Sequence, residues 1–290
     1  PDSFISDKPW AVNLCKRLGI ESEIISTQSE NRKSFVVRDG KLLEVPLGFY
    51  LIAPTQIREF LKSPLFSLQG KLRMMLEPLI PKNPSDDDES IGAFIRRRFG
   101  RECLDRVGQA MIAGIYTGDP ENLSLLATMP RLKDLEKKYG SVILGLLSGA
   151  NKKKKDLNQA SGPRYSLFLS FKNGMETLTK RLSTRIPQSS LRLGFKIKTI
   201  EKDTSNNRWR LITENGRVEA VDFVCLTTPA EASSLFVRNF SPQLSDKLAK
   251  ISYESAATIN FAFRRSDIGH ALNGFGFVVP RIENRQLAAC

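Results

Sequence analysis

Apolar residues recur at three- and four-residue spacing in some stretches of this chain and at two-residue spacing in others, and the change of period divides it. Residues 9–18 carry Trp10, Val12, Leu14 and Leu18 and are closed by Gly19, which predicts a short amphipathic helix. Residues 34–43 alternate around Asp39-Gly40, a hairpin signal. Residues 55–80 are crowded with Leu, Phe and Met, broken by Pro64 and Pro78 and interleaved with Arg58, Lys62, Lys71 and Arg73, so short helices separated by prolines are expected. Residues 90–125 predict two helices. The first is opened by Ser90 and stopped by Gly100; in the second, Leu104, Val107, Met111 and Ile115 make one stripe, and Gly108, Ala113 and Gly114 leave the backbone open to close approach. The block ends in the turn signal Tyr116-Thr117-Gly118-Asp119-Pro120.

The stretch PKNPSDDDE, residues 81–89, reads as a polar, solvated connector whose acidic run also suits the N-terminus of the helix after it. Residues 123–147 continue helical, and residues 148–163, with lysines at 152–155, read as a basic loop. Beyond it, residues 175–182 predict a helix, and residues 191–200, 208–214 and 217–226 predict strands, the last two joined by a hairpin at Asn215-Gly216 and the last reaching Thr227. Residues 230–236 look helical; 256–264, 274–280 and 282–290 read as strands. The whole is a mixed α/β chain with a mostly helical insert at about 55–150.

A chain of 290 residues with 41% apolar content can bury a substantial core and form two lobes. Its 44 basic and 31 acidic residues give a net charge of +13, which suits an acidic substrate, phospholipid headgroups or nucleic acid, or serves solubility alone. Cys15, Cys103, Cys225 and Cys290 show no CxxC pairing and are expected as reduced thiols. His270 is the only histidine, which excludes histidine-based triads and multi-histidine metal centres. No apolar run is long enough to cross a bilayer and no signal peptide is visible. Gly274 and Gly276 imitate a dinucleotide fingerprint, but no phosphate-binding helix pattern follows them. Consecutive arginines at 96, 97 and 98 point in different directions on a helix, which favours a structural role over a shared anion site.

The block at residues 90–125 resembles the protoporphyrinogen oxidase family, in which the form "F..RRFG.E...R........GIYAGDP..LS" recurs. Further matches lie in order along nearly the whole chain: Pro1-Asp2-Ser3-Phe4, FVVRDGKLLEVP, FKNGMETL, Thr227-Thr228-Pro229-Ala230 and NGFGFVVP. The resemblance implies a partial FAD-binding Rossmann-like domain and a β-rich substrate domain carrying a helical membrane-binding insert. In those terms residues 1–54 are the first part of the FAD and substrate region, 55–150 the insert, 151–164 the basic loop, 165–235 the second part of the FAD-binding domain and 236–290 a truncated substrate domain. It also implies that the chain is a fragment, lacking the glycine-rich βαβ fingerprint, so that these residues alone bind FAD weakly and are inactive.

The activity implied is FAD-dependent oxidation of protoporphyrinogen IX to protoporphyrin IX with O2 as acceptor, in haem biosynthesis. By the same resemblance, Gly114, Phe275, Gly276 and Val278 meet the porphyrinogen, while Pro1, Asp2, Ser3, Ile197 and Thr228 meet the cofactor. An aromatic face and branched aliphatics suit a large apolar ring, and a main-chain carbonyl can accept pyrrole N–H groups. Many members carry arginine immediately before the Phe35-equivalent position, where this chain has Ser34, so carboxylate binding here falls to the Ser34 hydroxyl or to Arg32 and Lys33 beside it. The resemblance further implies a peripheral membrane protein, cytoplasmic or on the inner mitochondrial membrane, and admits a homodimer. Coproporphyrinogen is a second substrate candidate, and other flavin amine oxidase or desaturase activities belong to the same superfamily. A non-catalytic basic protein binding lipid or nucleic acid is the rival of another class; no stacking motif supports a nucleic-acid partner.

Overall fold

The computed structural model describes residues 3–6, 9–27, 33–50, 52–116, 118–150, 168–253, 255 and 257–290. The lysine run at 152–155, Arg32 and the cofactor candidates Pro1 and Asp2 lie outside them. Two compact units result: Pro1–Thr179 with Ala256–Cys290, and Lys180–Ser255.

In the first unit, β1 (Phe4–Ile5) and β2 (Ile24–Ser26) flank β7 (Phe168–Phe171) in an antiparallel sheet. Helix α1 (Pro9–Leu18) contributes Cys15 and Leu18 to a small core with Ile20 and Phe171. Strands β3 (Lys33–Arg38) and β4 (Lys41–Glu44) form the hairpin expected at Asp39-Gly40, whose φ values of 50° and 74° are both left-handed, as a type I′ turn requires. The short pair β5 (Phe49–Tyr50) and β6 (Ala53–Pro54) then leads into the helices.

The helical body comprises α2 (Ile57–Lys62), α3 (Leu68–Met75), α4 (Ile91–Phe99), α5 (Arg101–Cys103), α6 (Gln109–Tyr116), α7 (Leu125–Thr128), α8 (Pro130–Tyr139) and α9 (Val142–Ala150). Four of the starts have a local cause. Ser67, Ser90 and Ser124 accept hydrogen bonds from the N–H groups of Gly70, Ala93 and Ala127 at 2.9–3.1 Å, and Pro130 occupies the first turn of α8. Gly100 and Gly140, at positive φ, end α4 and α8. Between α5 and α6 the second helix widens into a π turn, Leu104–Gly108. The core beneath holds Phe49, Phe60 and Phe66 in mutual ring contact, with Phe94, Phe99, Val107, Ile112 and Leu132 fully or almost fully buried. Each such side chain stabilises the fold by roughly 1.5–3 kcal/mol.

The three consecutive arginines diverge, Arg96 and Arg98 to separate principal partners, while Arg97 and Arg98 both reach Glu136. Arg96 pairs with Glu121, and Arg97 lies between Glu89 at 2.7 Å and Glu136 at 2.6 Å. Arg98, with no exposed surface, meets the equally buried Glu77. Its remaining donors reach the carbonyls of Ile80 at 2.8 Å and Gly140 at 2.9 Å, while Glu77 accepts from the Ser141 hydroxyl and the Val142 N–H. The acidic connector at 81–89 is tied down as well: Asp86 pairs with Lys137, the Asp87 carbonyl accepts from Lys133, and Asp88 accepts from the Leu126 N–H. The connector is a solvated loop as expected, with most of its residues exposed, and these contacts tether it to α8 and its neighbours.

In the second unit β8 (Ile197–Asp203), β9 (Arg208–Thr213) and β10 (Val218–Val221) form an antiparallel sheet, with Gly216 at a φ of 79° in the second hairpin. The chain enters this unit within α10 (Glu176–Ser183). Helices α11 (Ala230–Val237) and α12 (Pro242–Ala249) pack together, where the Ser245 hydroxyl donates to the Ser234 carbonyl at 2.8 Å. Three strand expectations are corrected. The third strand stops at Val221 rather than reaching Thr227, because its partner β9 begins at Arg208 and offers no further register. Residues 257–264 form no strand: Ile259, Phe261 and Phe263 alternate, but no strand among the described residues lies beside them to complete a ladder. Residues 282–290 instead give a 3-10 turn, Arg281–Glu283, followed by an isolated bridge between Ala289 and Val278.

Candidate site on the first unit

Strand β11 (Gly274–Val278) adds to the hairpin by running parallel to β3. Gly276 lies opposite Ser34 and Val278 opposite Val36, with a bulge between Gly274 and Gly276. Both glycines are demanded by backbone proximity. A Cβ on Gly274 would collide with the Phe35 ring and approach the Lys33 carbonyl to 2.8 Å; one on Gly276 would collide with the Cys290 carbonyl. On that outer side the chain doubles back, exchanging Phe277 and Cys290 main-chain hydrogen bonds at 2.7 and 2.9 Å.

The helix through α5, the π turn and α6 brings Gly114 to the same place. A Cβ built on Gly114 would stand 3.7 Å from Val278 Cγ1. The structure therefore gathers Ser34, Gly114, Gly276 and Val278 on adjoining elements, with Phe275 projecting from the same strand at 66% exposure. Lys33, at the edge of β3, is engaged by Glu44 at 2.8 Å. Phe35 meets the His270 ring edge-on with centroids 5.7 Å apart.

Ionic and polar contacts that the sequence did not disclose tie together the elements that carry these residues. Glu283 accepts from the N–H groups of Asp39 at 3.0 Å and Gly40 at 3.4 Å and faces Arg106 of the π turn at 3.5 Å. The Arg281 N–H donates to Gln109 at 2.9 Å and its guanidinium to Asp119 at 2.6 Å, which holds the Asp119 carboxyl below its usual range. The only sequence signal was the charge of these residues, spread over 177 positions between Arg106 and Glu283.

Chemically, the assembled residues offer an exposed aromatic face, branched aliphatics and main-chain atoms, and no titratable side chain among the five. They suit a flat apolar ligand bound by shape and by backbone hydrogen bonds. No group of three or more His, Cys, Asp or Glu side chains that could hold a metal occurs among the described residues.

The remaining cofactor candidates lie elsewhere. Ser3 precedes β1 in the first unit, whereas Ile197 and Thr228 belong to the second. Ile197 opens β8, where the register against β9 shifts between Ile197 and Thr199. The Thr228 hydroxyl pairs with Ser233 at 2.8 Å, so its side chain serves the entry to α11.

Residues 1–284 match the family described as flavin containing amine oxidoreductase. The chain is 29% identical over 292 residues to coproporphyrinogen III oxidase of Staphylococcus aureus, matching all of this chain and 62% of that protein. It is 30% identical to the Bacillus subtilis coproporphyrinogen III oxidase, covering 60% of it, and 29% identical to mitochondrial protoporphyrinogen oxidase of Nicotiana tabacum, covering 94% of this chain and 56% of the relative. A crystal structure from Exiguobacterium described as a protoporphyrinogen oxidase superposes with a TM-score of 0.76 at 24% identity, over all of this chain and 60% of the other. The chain thus spans about 60% of the length of the relatives it matches.

Proposed function

Because the chain belongs to the flavin containing amine oxidoreductase family, with FAD as cofactor, we propose that it is the major part of a porphyrinogen oxidase of haem biosynthesis. The reaction is oxidation of protoporphyrinogen IX to protoporphyrin IX, with O2 as the final acceptor. The observation that carries this reading is the approach of Gly114 to Val278 on β11, next to the pairing of Gly276 with Ser34, with exposed Phe275 on the same strand.

FAD, when bound, supplies the acceptor for hydride. The residues of this chain bind and orient. Phe275 and Val278 offer the apolar faces for a macrocycle, the Gly114 carbonyl accepts pyrrole N–H groups, and the missing Cβ at 114 keeps that carbonyl approachable. Ser34 donates to a substrate carboxylate in place of an arginine. For the cofactor, Ser3 with Pro1 and Asp2 is the contact read in the first unit, and Ile197 and Thr228 are those read in the second.

Coproporphyrinogen is the second substrate reading, favoured by the Staphylococcus and Bacillus relatives bearing that name. The test is turnover by the full-length, flavin-loaded protein that contains this chain, with each porphyrinogen offered separately. Appearance of porphyrin fluorescence identifies the substrate; none with either compound overturns the reading.

A peripheral membrane site accompanies it. Leu68, Leu72, Leu76 and Leu79 recur along α3 and the turn after it, all exposed, Leu68 to 84%, with Leu61 exposed at the end of α2 and Arg58 and Lys62 nearby in sequence. Such a stripe suits insertion into the headgroup region of an anionic leaflet, on the cytoplasmic side or on the inner mitochondrial membrane. No helix of the described residues is long and apolar enough to cross a membrane. A homodimer completes the proposal, tested by the mass of the full-length protein in solution.

A further inference from the structure

Glu283 is joined to two other elements, the β3–β4 turn and the π turn, and its side chain is only 8% exposed. Asp39 and Gly40, both left-handed, present their N–H groups to it, and consecutive amides in such a turn form a concave anion receptor. Arg106 approaches from the π turn. Two residues earlier, Arg281 holds Gln109 and Asp119, which stand before and after Gly114 in sequence. The turn after β11 is therefore pinned to the β3–β4 hairpin and, at three points, to the helix segment and loop around Gly114.

We propose that Glu283 is a positioning residue for the porphyrinogen site: by tying the hairpin tip and the π turn to the end of β11, it sets the spacing between Gly114 and Val278 against which the substrate ring lies. This rests on the reading of that surface as the porphyrinogen site. Glu283 itself touches none of Ser34, Gly114, Phe275, Gly276 or Val278 through a side-chain hydrogen bond, so its effect passes through the backbone of β11. The π turn makes the dependence sharp. One residue more or less per turn rotates everything beyond it by about 100°, and Arg106 lies within the turn that fixes where Gly114 faces.

The test uses the full-length, flavin-loaded protein and the variants Glu283→Gln, Gly114→Ala and their combination. KM and kcat are measured with the porphyrinogen that the wild type oxidises, and amide exchange is followed at Phe277 and Val279. Glu283→Gln is expected to raise KM about fivefold or more, leaving kcat within about twofold, and to speed exchange at both amides. The double variant is expected to show a KM effect that differs from the product of the single effects, because both changes act on one gap.

A fall in thermal stability with KM unchanged, or KM effects that simply multiply, overturns the proposal and leaves Glu283 a role in folding alone. Should the wild type oxidise neither porphyrinogen, the functional reading fails by itself, and exchange still decides on the clamp: faster at 277 and 279 sustains it, unchanged exchange removes it. If Glu283→Gln does not fold, Arg106→Gln removes the same pair from the other side and carries the same measurements.

Discussion

An alanine Cβ at Gly114 would find the Val278 methyl at 3.7 Å, an ordinary contact, and the backbone there is not left-handed. Packing therefore permits a side chain at 114, and within a helix alanine is favoured over glycine by about 0.8–1 kcal/mol. Gly114→Ala is expected to leave the unfolding free energy unchanged or raised while KM for the porphyrinogen rises, measured by denaturant titration and steady-state kinetics on one preparation. A loss of stability with KM intact would assign Gly114 to packing. Gly274 and Gly276 contrast with it, since there a Cβ strikes neighbouring backbone or ring. The sequence disclosed that glycines cluster in both places but not which were needed for packing, because that depends on partners such as Lys33 and Cys290, distant in sequence from one of them or both. Ser34, Gly276 and Val278 were legible as site candidates through family resemblance; Glu283 was not, because its partners are two backbone amides and an arginine contributed by other elements.

Among the elements, α4 illustrates how charge was legible and its destination was not. The pattern foretold helix boundaries at Ser90 and Gly100, and the diverging arginines, but not that Arg98 would lie fully buried against Glu77. Removing one partner strands a buried charge, so Arg98→Met is expected to cost about 3–5 kcal/mol, read from the shift in urea midpoint. A cost below about 1 kcal/mol would show that the Ser141 hydroxyl and the Val142 and Ile143 N–H groups satisfy Glu77 without the arginine. Glu136 gives a pH dependence. Burial pushes its carboxyl up, but Arg97, the Asn83 N–H and Arg98 outweigh this and hold it below 4.5. Folding thus favours the ionised form: the contribution is complete above about pH 4.5 and is lost as the pH falls through the lower folded-state value. Thermal midpoints taken from pH 6 down to 3 should fall less steeply in Glu136→Gln than in the wild type. The π turn left no trace in the pattern, since Leu104, Val107 and Met111 satisfy an ordinary helical stripe as well.

For the whole molecule, the alternation of a mostly helical stretch with strand-rich flanks was readable from hydrophobic period, and the return of residues 257–290 to the unit built by the first 179 was not, because it depends on the parallel pairing of β11 with β3. The leucine stripe acts at this scale. Leu68→Ser and Leu79→Ser are each expected to weaken binding of the full-length protein to vesicles containing anionic lipid by about tenfold, in a sedimentation assay, since each removes roughly 1.5 kcal/mol or more of apolar transfer. Equal binding by wild type and variants would reassign the stripe to protein contacts. Ile259, Phe261 and Phe263 have a different consequence. They form an exposed apolar row, so wherever this polypeptide is prepared at high concentration with that row uncovered, copies should associate through it, and Phe261→Lys should keep the preparation clear.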